Sequence, residues 1–136
     1  MREILFRGKF GNEWKYGFLS IEPKGLVIKE PYKNDSSNVW HIESDTIGQY
    51  TGLTDKNGKK IFEGDICSFG DTDGGRTNYE ICWIENRWIV RECGHSGVDE
   101  LDLFFCKRSV VISNIYDNPE LLEGVKIQRS KNYDKI

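Results

Sequence analysis

Two short stretches between residues 71 and 99 hold side chains of the types that bind metals or attack substrates. The run Asp71-Thr72-Asp73-Gly74-Gly75 begins like a calcium-binding loop. Such a loop needs oxygen ligands at positions 1, 3, 5 and 12 and glycine at position 6. Here positions 5, 6 and 12 are Gly75, Arg76 and Cys82, so the carboxylates are too few. We interpret the run as a turn and expect no calcium site.

The second stretch runs from Cys93 to Asp99. Cys93 and His95 form the nearest thiol–imidazole pair, but the chain lacks the Cys-x-x-Cys spacing with which one loop supplies two zinc ligands. Ser96, His95 and Asp99 are close in sequence, yet GHSG is not the Gly-x-Ser-x-Gly elbow that holds a nucleophile rigidly. No glycine-rich phosphate loop opens a helix. We therefore predict no catalytic residue, metal ligand, cofactor-binding residue or cofactor, and no enzyme activity.

Four cysteines are separated by 14, 10 and 12 residues. The N-terminal sequence MREILFRGKF lacks the apolar core of a secretory leader, and no apolar run approaches the ~20 residues of a membrane helix. We therefore expect a cytoplasmic protein with reduced thiols, no disulfide and no membrane partner. The four cysteines are Cys67, Cys82, Cys93 and Cys106. Cys67, Cys82 and Cys106 lie in apolar surroundings, where a free cysteine behaves as a small hydrophobic residue.

Aromatic and basic side chains are the features that could bind nucleic acid, because bases stack on aromatic rings and phosphates attract cations. The net charge of −3 argues against a protein that coats nucleic acid. Residues 1–33 carry +3 (seven basic, four acidic), residues 34–103 carry −8 (six basic, fourteen acidic) and residues 104–136 carry +2 (six basic, four acidic). We favour core packing for the aromatic residues, which are Trp14, Tyr16, Trp40, Trp83 and Trp88. The basic residues that would form the alternative binding face are Arg2, Arg7, Lys9 and Lys15.

The elements that must position these residues are mostly strands. Apolar side chains alternate with polar ones, and turn residues recur about every ten positions, which predicts roughly nine short strands in a β-rich barrel. The predicted strands are EILFRGKF, WKYGFLSI, LVIKE, VWHI, GQYTGL, KIFEGDICSF, the two arms of YEICWIENRWIVRE, LDLFFC and SVVISNIY. DTDGGRTN and CGHSGVDE are predicted loops.

The stretch TIGQYTGLTDKNGKKIFEGD, residues 46–65, is unusually rich in turn residues. Asn57-Gly58 supplies the positive φ that a tight hairpin needs, so we predict a β-hairpin there. Gly64 predicts a bend or bulge, and Asp65 is expected to accept hydrogen bonds from nearby backbone amides.

One short helix is predicted near the C-terminus. Asn118 is a suitable N-cap and Pro119 suits the first helical position. Gly124 would end this helix, and Leu121 or Leu122 would pack onto the β-structure.

Three segments resemble the YopX family of bacteriophage and prophage proteins. They are REILFRGK followed by W and YG, then TIGQYTGLTDKNGKKIFEGDI, and finally VISNIYDNPELLE. Together they span residues 2–123 in the order of the family. Residues 71–102 match no segment of it, and their role is left open.

The resemblance implies a mainly β fold (α+β overall). It implies an N-terminal β-hairpin region over residues 1–50, a small Src-homology-3-like β-barrel with the C-terminal helix over residues 51–125, and a polar tail over residues 126–136. It also implies a phage or prophage gene expressed in the cytoplasm of a bacterial host. It supplies no catalytic residue.

Taken together, these features predict a phage or prophage accessory protein of unknown biochemical role. Our first interpretation is a non-enzymatic protein-binding or adaptor module with an unidentified protein partner. The alternative is a nucleic-acid-associated accessory protein that uses the basic N-terminal hairpin. Small β-barrels serve many roles, so the fold does not distinguish these two functions. A homo-oligomer is a further open alternative.

Overall fold

The computed structural model describes residues 3–30 and 38–123 of the chain. This part is mainly β, as predicted, with two antiparallel sheets and one short α-helix. The chain divides into two compact units, Met1–Gly52 and Leu53–Ile136. The predicted tail over residues 126–136 lies outside the described residues.

The first sheet has the strand order β4-β3-β2-β1-β5-β6, and β5 spans the boundary between the units. Its apolar centre within the first unit includes Val27, Ile28 and Ile42, all buried. The turn predicted at Gly11-Asn12 joins β1 to β2, and Gly11 has a φ of 62°. The strands are β1 Phe6–Phe10, β2 Glu13–Glu22, β3 Gly25–Lys29, β4 Val39–His41, β5 Gly48–Thr54 and β6 Lys60–Phe62. A 3-10 helix, Ser44–Thr46, precedes β5.

The long strand β2 changes its partner at Gly17. Residues 13–17 pair with β1, and residues 18–22 pair with β3. A Cβ atom at Gly17 would lie 2.1 Å from the carbonyl oxygen of Lys29. Because that oxygen belongs to the backbone of a paired strand, it cannot move aside cheaply. Glycine at this position therefore allows β2 and β3 to approach.

The second sheet lies in the second unit, with the antiparallel strand order β10-β9-β8-β7-β11. Within the described residues no pairing joins β10 to β11, so no closed barrel is observed there, and the Src-homology-3-like barrel stays a prediction. One face packs into a core with Ile61, Ile81 and Phe105. The elements are β7 Asp65–Gly70, β8 Arg76–Ile84, β9 Arg87–Glu92, β10 Val98–Glu100, α1 Leu103–Lys107 and β11 Ser109–Asn114.

The segment LDLFFC was predicted as a strand, and this prediction is wrong. Residues Leu103–Lys107 form α1, because the side chain of Asp102 caps the helix by accepting a hydrogen bond from the N–H of Phe105 at 2.8 Å. Short apolar runs suit either a strand or a helix, and here the cap decides. The loop predicted at CGHSGVDE also contains the short strand β10.

The predicted C-terminal helix begins at Pro119, but it is a 3-10 helix, Pro119–Glu123. Leu121 and Leu122 are half-buried and neither is fully buried, so the anchoring of this helix is weaker than we expected. The predicted stop at Gly124 lies outside the described residues.

We predict that Gly17→Ala lowers the free energy of unfolding by about 1–3 kcal/mol, because the added methyl group must displace backbone. Urea denaturation followed by tryptophan fluorescence measures this loss. Gly97→Ala is the matched control, since a methyl group there would meet no atom within 4 Å and the φ of Gly97 is not positive. Equal stability of the Gly17→Ala variant and the wild type would contradict the close approach of β2 and β3.

Candidate functional site

The hairpin between β5 and β6 forms as predicted, with Gly58 at a φ of 82°. The buried polar side chain of this hairpin makes hydrogen bonds within the protein. One carboxylate oxygen of Asp55 accepts hydrogen bonds from the N–H groups of Asn57 and Lys59 at 2.9 and 3.0 Å, and the other accepts from the N–H of Val111 at 2.9 Å. Asp55 is 5% exposed. This carboxylate therefore joins the hairpin to β11 and does not point to a ligand.

The second aspartate of this segment is also structural. Asp65 is 1% exposed, and its carboxylate accepts a hydrogen bond from the N–H of Phe62 at 2.7 Å. Gly64 lies between them at a φ of 89°, which confirms the predicted bend. The N–H of Gly64 donates to the carbonyl of Ile81, and its carbonyl accepts from the N–H of Ile115, both at 2.9 Å.

The run at residues 71–75 forms the loop between β7 and β8. One oxygen of the Asp71 carboxylate accepts hydrogen bonds from the N–H groups of Asp73 and Gly75 at 3.0 and 2.8 Å. Gly74 has a φ of 86°. The side chain that would be the first ligand of a calcium loop thus holds a turn together.

The structure does not bring Ser96, His95 and Asp99 together as a triad. The Nε2 atom of His95 lies 3.1 Å from a carboxylate oxygen of Glu92. In residues 3–30 and 38–123, no hydrogen bond links His95 to Ser96 or to Asp99, and no group of three metal-binding side chains occurs.

The four cysteines are buried as free thiols. Burial raises the pKa of Cys67 well above its usual range, and the carboxylate of Asp65 adds to this effect. Burial, with smaller contributions from nearby carboxylates, raises the pKa of Cys82 to about 12 and the pKa values of Cys93 and Cys106 to about 11. Because the thiolate is the reactive form, these side chains are inert near neutral pH.

Strand pairing places part of the predicted basic face together. Arg7 lies opposite Tyr16 and Lys9 lies opposite Trp14, so these four side chains share one face of the β1–β2 hairpin. The guanidinium carbon of Arg7 is 4.6 Å from the centre of a Trp14 ring, and Arg7 is only 5% exposed. This arginine packs beneath the surface and offers little charge to a phosphate.

Lys15 projects from the opposite face of the same hairpin, because side chains alternate along β2. Its Nζ lies 3.9 Å from the centre of a Trp40 ring and 2.9 Å from a carboxylate oxygen of Glu13. Arg2 lies outside the described residues. The described basic residues that were predicted to form one face are therefore divided between the two faces of the hairpin.

A cavity of about 480 Å³ opens in the second unit between the sheet and α1. We call it the acidic aromatic groove. Its floor contains four aromatic rings, and the Phe69 and Phe105 rings stack with their centres 5.2 Å apart. Tyr79 meets both rings edge-on. The aromatic residues are Phe69, Tyr79, Phe104 and Phe105, and the carboxylates at the rim belong to Asp99, Glu100 and Asp102.

The three rim carboxylates have different surroundings. Asp102 caps α1, and Glu100 lies 3.5 Å from an Nη atom of Arg87. The carboxylate of Asp99 makes no hydrogen bond or ion pair with another described residue. Burial raises the pKa of Tyr79, and the charges of Glu92 and Asp99 raise it further.

The sequence pattern does not reveal this groove. LDLFFC was predicted as a strand, although Asp102 before an apolar run is a helix N-terminal signal. The groove forms only when α1 brings Phe104 and Phe105 against the rings of β7 and β8.

The sequence profile described as YopX protein matches residues 7–123. The chain belongs to the YopX family. Among solved structures, protein YopX from Bacillus subtilis is similar with 19% identity and a TM-score of 0.57, covering 86% of this chain and 96% of its own. A protein from Enterococcus faecalis is similar with 28% identity and a TM-score of 0.53, covering 90% of this chain and 100% of its own. No curated protein matches the chain. Among its described residues, this YopX-family chain has no helix long and apolar enough to span a membrane.

We predict that Asp55→Ala lowers the free energy of unfolding by about 2–4 kcal/mol, because the backbone donors that Asp55 satisfies lose their acceptor. Asp73→Ala removes an exposed carboxylate from a loop and should change the stability by less than about 0.5 kcal/mol. Chemical denaturation of both variants measures the difference. Equal stability of the two variants would exclude the structural role of Asp55.

We also predict that the native thiols react slowly with a disulfide reagent at pH 8 and that all four react quickly in denaturant. Their pKa values are higher in the folded state than the ordinary value of about 8.5, so the unfolded chain loses these protons first. The free energy of unfolding should therefore be unaffected by the thiols below pH 8.5 and fall as the pH rises towards 11. Rapid labelling of a native thiol at pH 8 would contradict its burial.

Proposed function

We propose that this YopX-family chain is a non-enzymatic protein-binding module, acting as a phage or prophage accessory protein in the cytoplasm of a bacterial host. The observation that carries the proposal is the acidic aromatic groove, since concave sites with an aromatic floor and a few polar groups are typical of binding surfaces. The resemblance of the three sequence segments supports the phage or prophage origin. An arrangement of residues 51–125 as a Src-homology-3-like barrel belongs to the same proposal and is supported by the five antiparallel strands.

The geometry around other candidate groups agrees with a role in binding. The carboxylates of Asp55, Asp65 and Asp71 accept backbone hydrogen bonds, and the buried thiols stay protonated near neutral pH. These groups stabilise the fold, whereas Asp99 presents a carboxylate to the groove.

The alternative is a nucleic-acid partner bound by the β1–β2 hairpin. It is favoured by one observation, the shared face of Arg7, Lys9, Trp14 and Tyr16. The burial of Arg7 and the opposite orientation of Lys15 weigh against it. Binding of labelled single-stranded DNA or RNA that survives physiological salt and weakens in Trp14→Ala would support this alternative over the first.

We predict that a Phe104→Ala variant loses its protein partner in affinity capture from cells that express the gene. Phe104 is 61% exposed, so its removal should leave the fold intact. Phe18→Ala is the matched control, because Phe18 is 52% exposed in the first unit. The same protein should be captured by the wild type and by Phe18→Ala, and calorimetry with the purified partner should confirm direct binding. If Phe104→Ala captures the protein as well as Phe18→Ala does, the groove is not the binding site.

A further inference from the structure

Strand β10 forms one edge of the second sheet, beside the groove. The N–H of Glu92 donates to the carbonyl of Gly97, and the N–H of Leu101 donates to the carbonyl of Trp88. In an antiparallel pair the groups that face the partner strand alternate along the chain. The backbone N–H and C=O groups of Val98 and Glu100 therefore point away from β9, towards the open edge, where an added strand would pair with them.

The side chain of Asp99 lies on the groove face of the sheet, because Asp99 pairs with Val90 and both line the cavity. A strand added antiparallel to β10 would place one residue directly opposite Asp99 at a non-hydrogen-bonded position, where side chains come closest. The side chain of that residue would extend over the aromatic floor.

The chemistry of this position selects a cation. Asp99 carries a charge that no described side chain neutralises, with two further carboxylates at the rim. Aromatic faces attract guanidinium groups, and a planar guanidinium also binds a carboxylate with two parallel hydrogen bonds. The Phe104 ring already makes one such contact, since the guanidinium carbon of Arg108 lies 5.3 Å from its centre.

From this geometry, and resting on the proposed function, we infer that the groove binds a basic segment of the protein partner. The segment adds to β10 as an extended strand, with an arginine opposite Asp99 and its guanidinium over Phe104. The cavity of about 480 Å³ lies within the range of ~300–1,000 Å³ that is typical of ligand sites, so it holds more than one side chain. Basic residues at alternate positions of the segment would meet the acidic rim on one side.

The test uses the full-length protein and three labelled octapeptides, each with four repeats of Thr-Arg, Thr-Lys or Thr-Glu. Fluorescence anisotropy should show that the arginine peptide binds most tightly, the lysine peptide several-fold more weakly and the glutamate peptide not at all. Higher salt should weaken the binding, because the carboxylates at the rim are partly exposed. Asp99→Asn and Phe104→Ala should each reduce the affinity about tenfold, which corresponds to the loss of one favourable contact.

Two control variants distinguish binding at the groove from binding that depends only on net charge or on exposed apolar area. Asp45→Asn removes an exposed carboxylate from the first unit, and Phe18→Ala removes an exposed ring there. Both should bind the arginine peptide within about twofold of the wild type. In nuclear magnetic resonance spectra, the amide signals of Val98 and Glu100 should shift on binding and gain protection from hydrogen exchange.

Binding of the glutamate peptide as tightly as the arginine peptide, or unchanged affinity in Asp99→Asn, would overturn the inference. Unperturbed amides of Val98 and Glu100 would overturn strand addition. If affinity capture depends on Phe104 but the arginine peptide does not bind, the protein-binding function stands and the basic partner segment is wrong. If Phe104 affects neither measurement, both proposals fail.

Discussion

Three backbone N–H groups donate to the Asp55 carboxylate, and two of them come from its own hairpin while the third comes from β11, 56 residues later in the chain. A buried carboxylate is costly unless its oxygens are satisfied, so this arrangement fixes the hairpin and β11 at the same time. The N–H of Lys56 also donates to the carbonyl of Ser109 at 3.1 Å. The core of the second unit is built against this connection, with Ile61 following the hairpin and Val111 on β11.

The same constraint explains why turn residues are so dense between residues 46 and 65. Gly58 closes the hairpin, and Gly64 makes the bend that lets the Asp65 carboxylate reach the N–H of Phe62. These residues are needed for the backbone conformation of the turn and the bend and for hydrogen bonds to the backbone. The polar character of this segment therefore reflects folding.

The groove is formed by the segments between β7 and β11. Strand β10 and α1 carry exposed carboxylates and an exposed ring at their surfaces. In the first unit the cations of Arg7 and Lys15 instead lie against Trp14 and Trp40 within the same unit. Cations therefore pack on aromatic rings in both units, since the guanidinium of Arg108 lies over Phe104 in the second, and the groove of the second unit also presents the carboxylate of Asp99 beside rings.

The sequence by itself determined most strands and most turns of this protein, because alternation of apolar residues and the positive φ of residues such as Gly58 are local properties. It did not determine α1, since an apolar run such as LDLFFC suits either a strand or a helix. The Asp102 cap favours the helix only when the neighbouring core also accommodates the Phe105 side chain. The sequence also did not determine which cations share a face or which aromatic rings meet. Phe69 and Tyr79 lie on paired strands and Phe105 lies on α1, so strand pairing and the packing of α1 together bring the three rings into contact. Only the tertiary structure decided the acidic aromatic groove, because contacts between distant segments depend on register and packing, which no local pattern encodes.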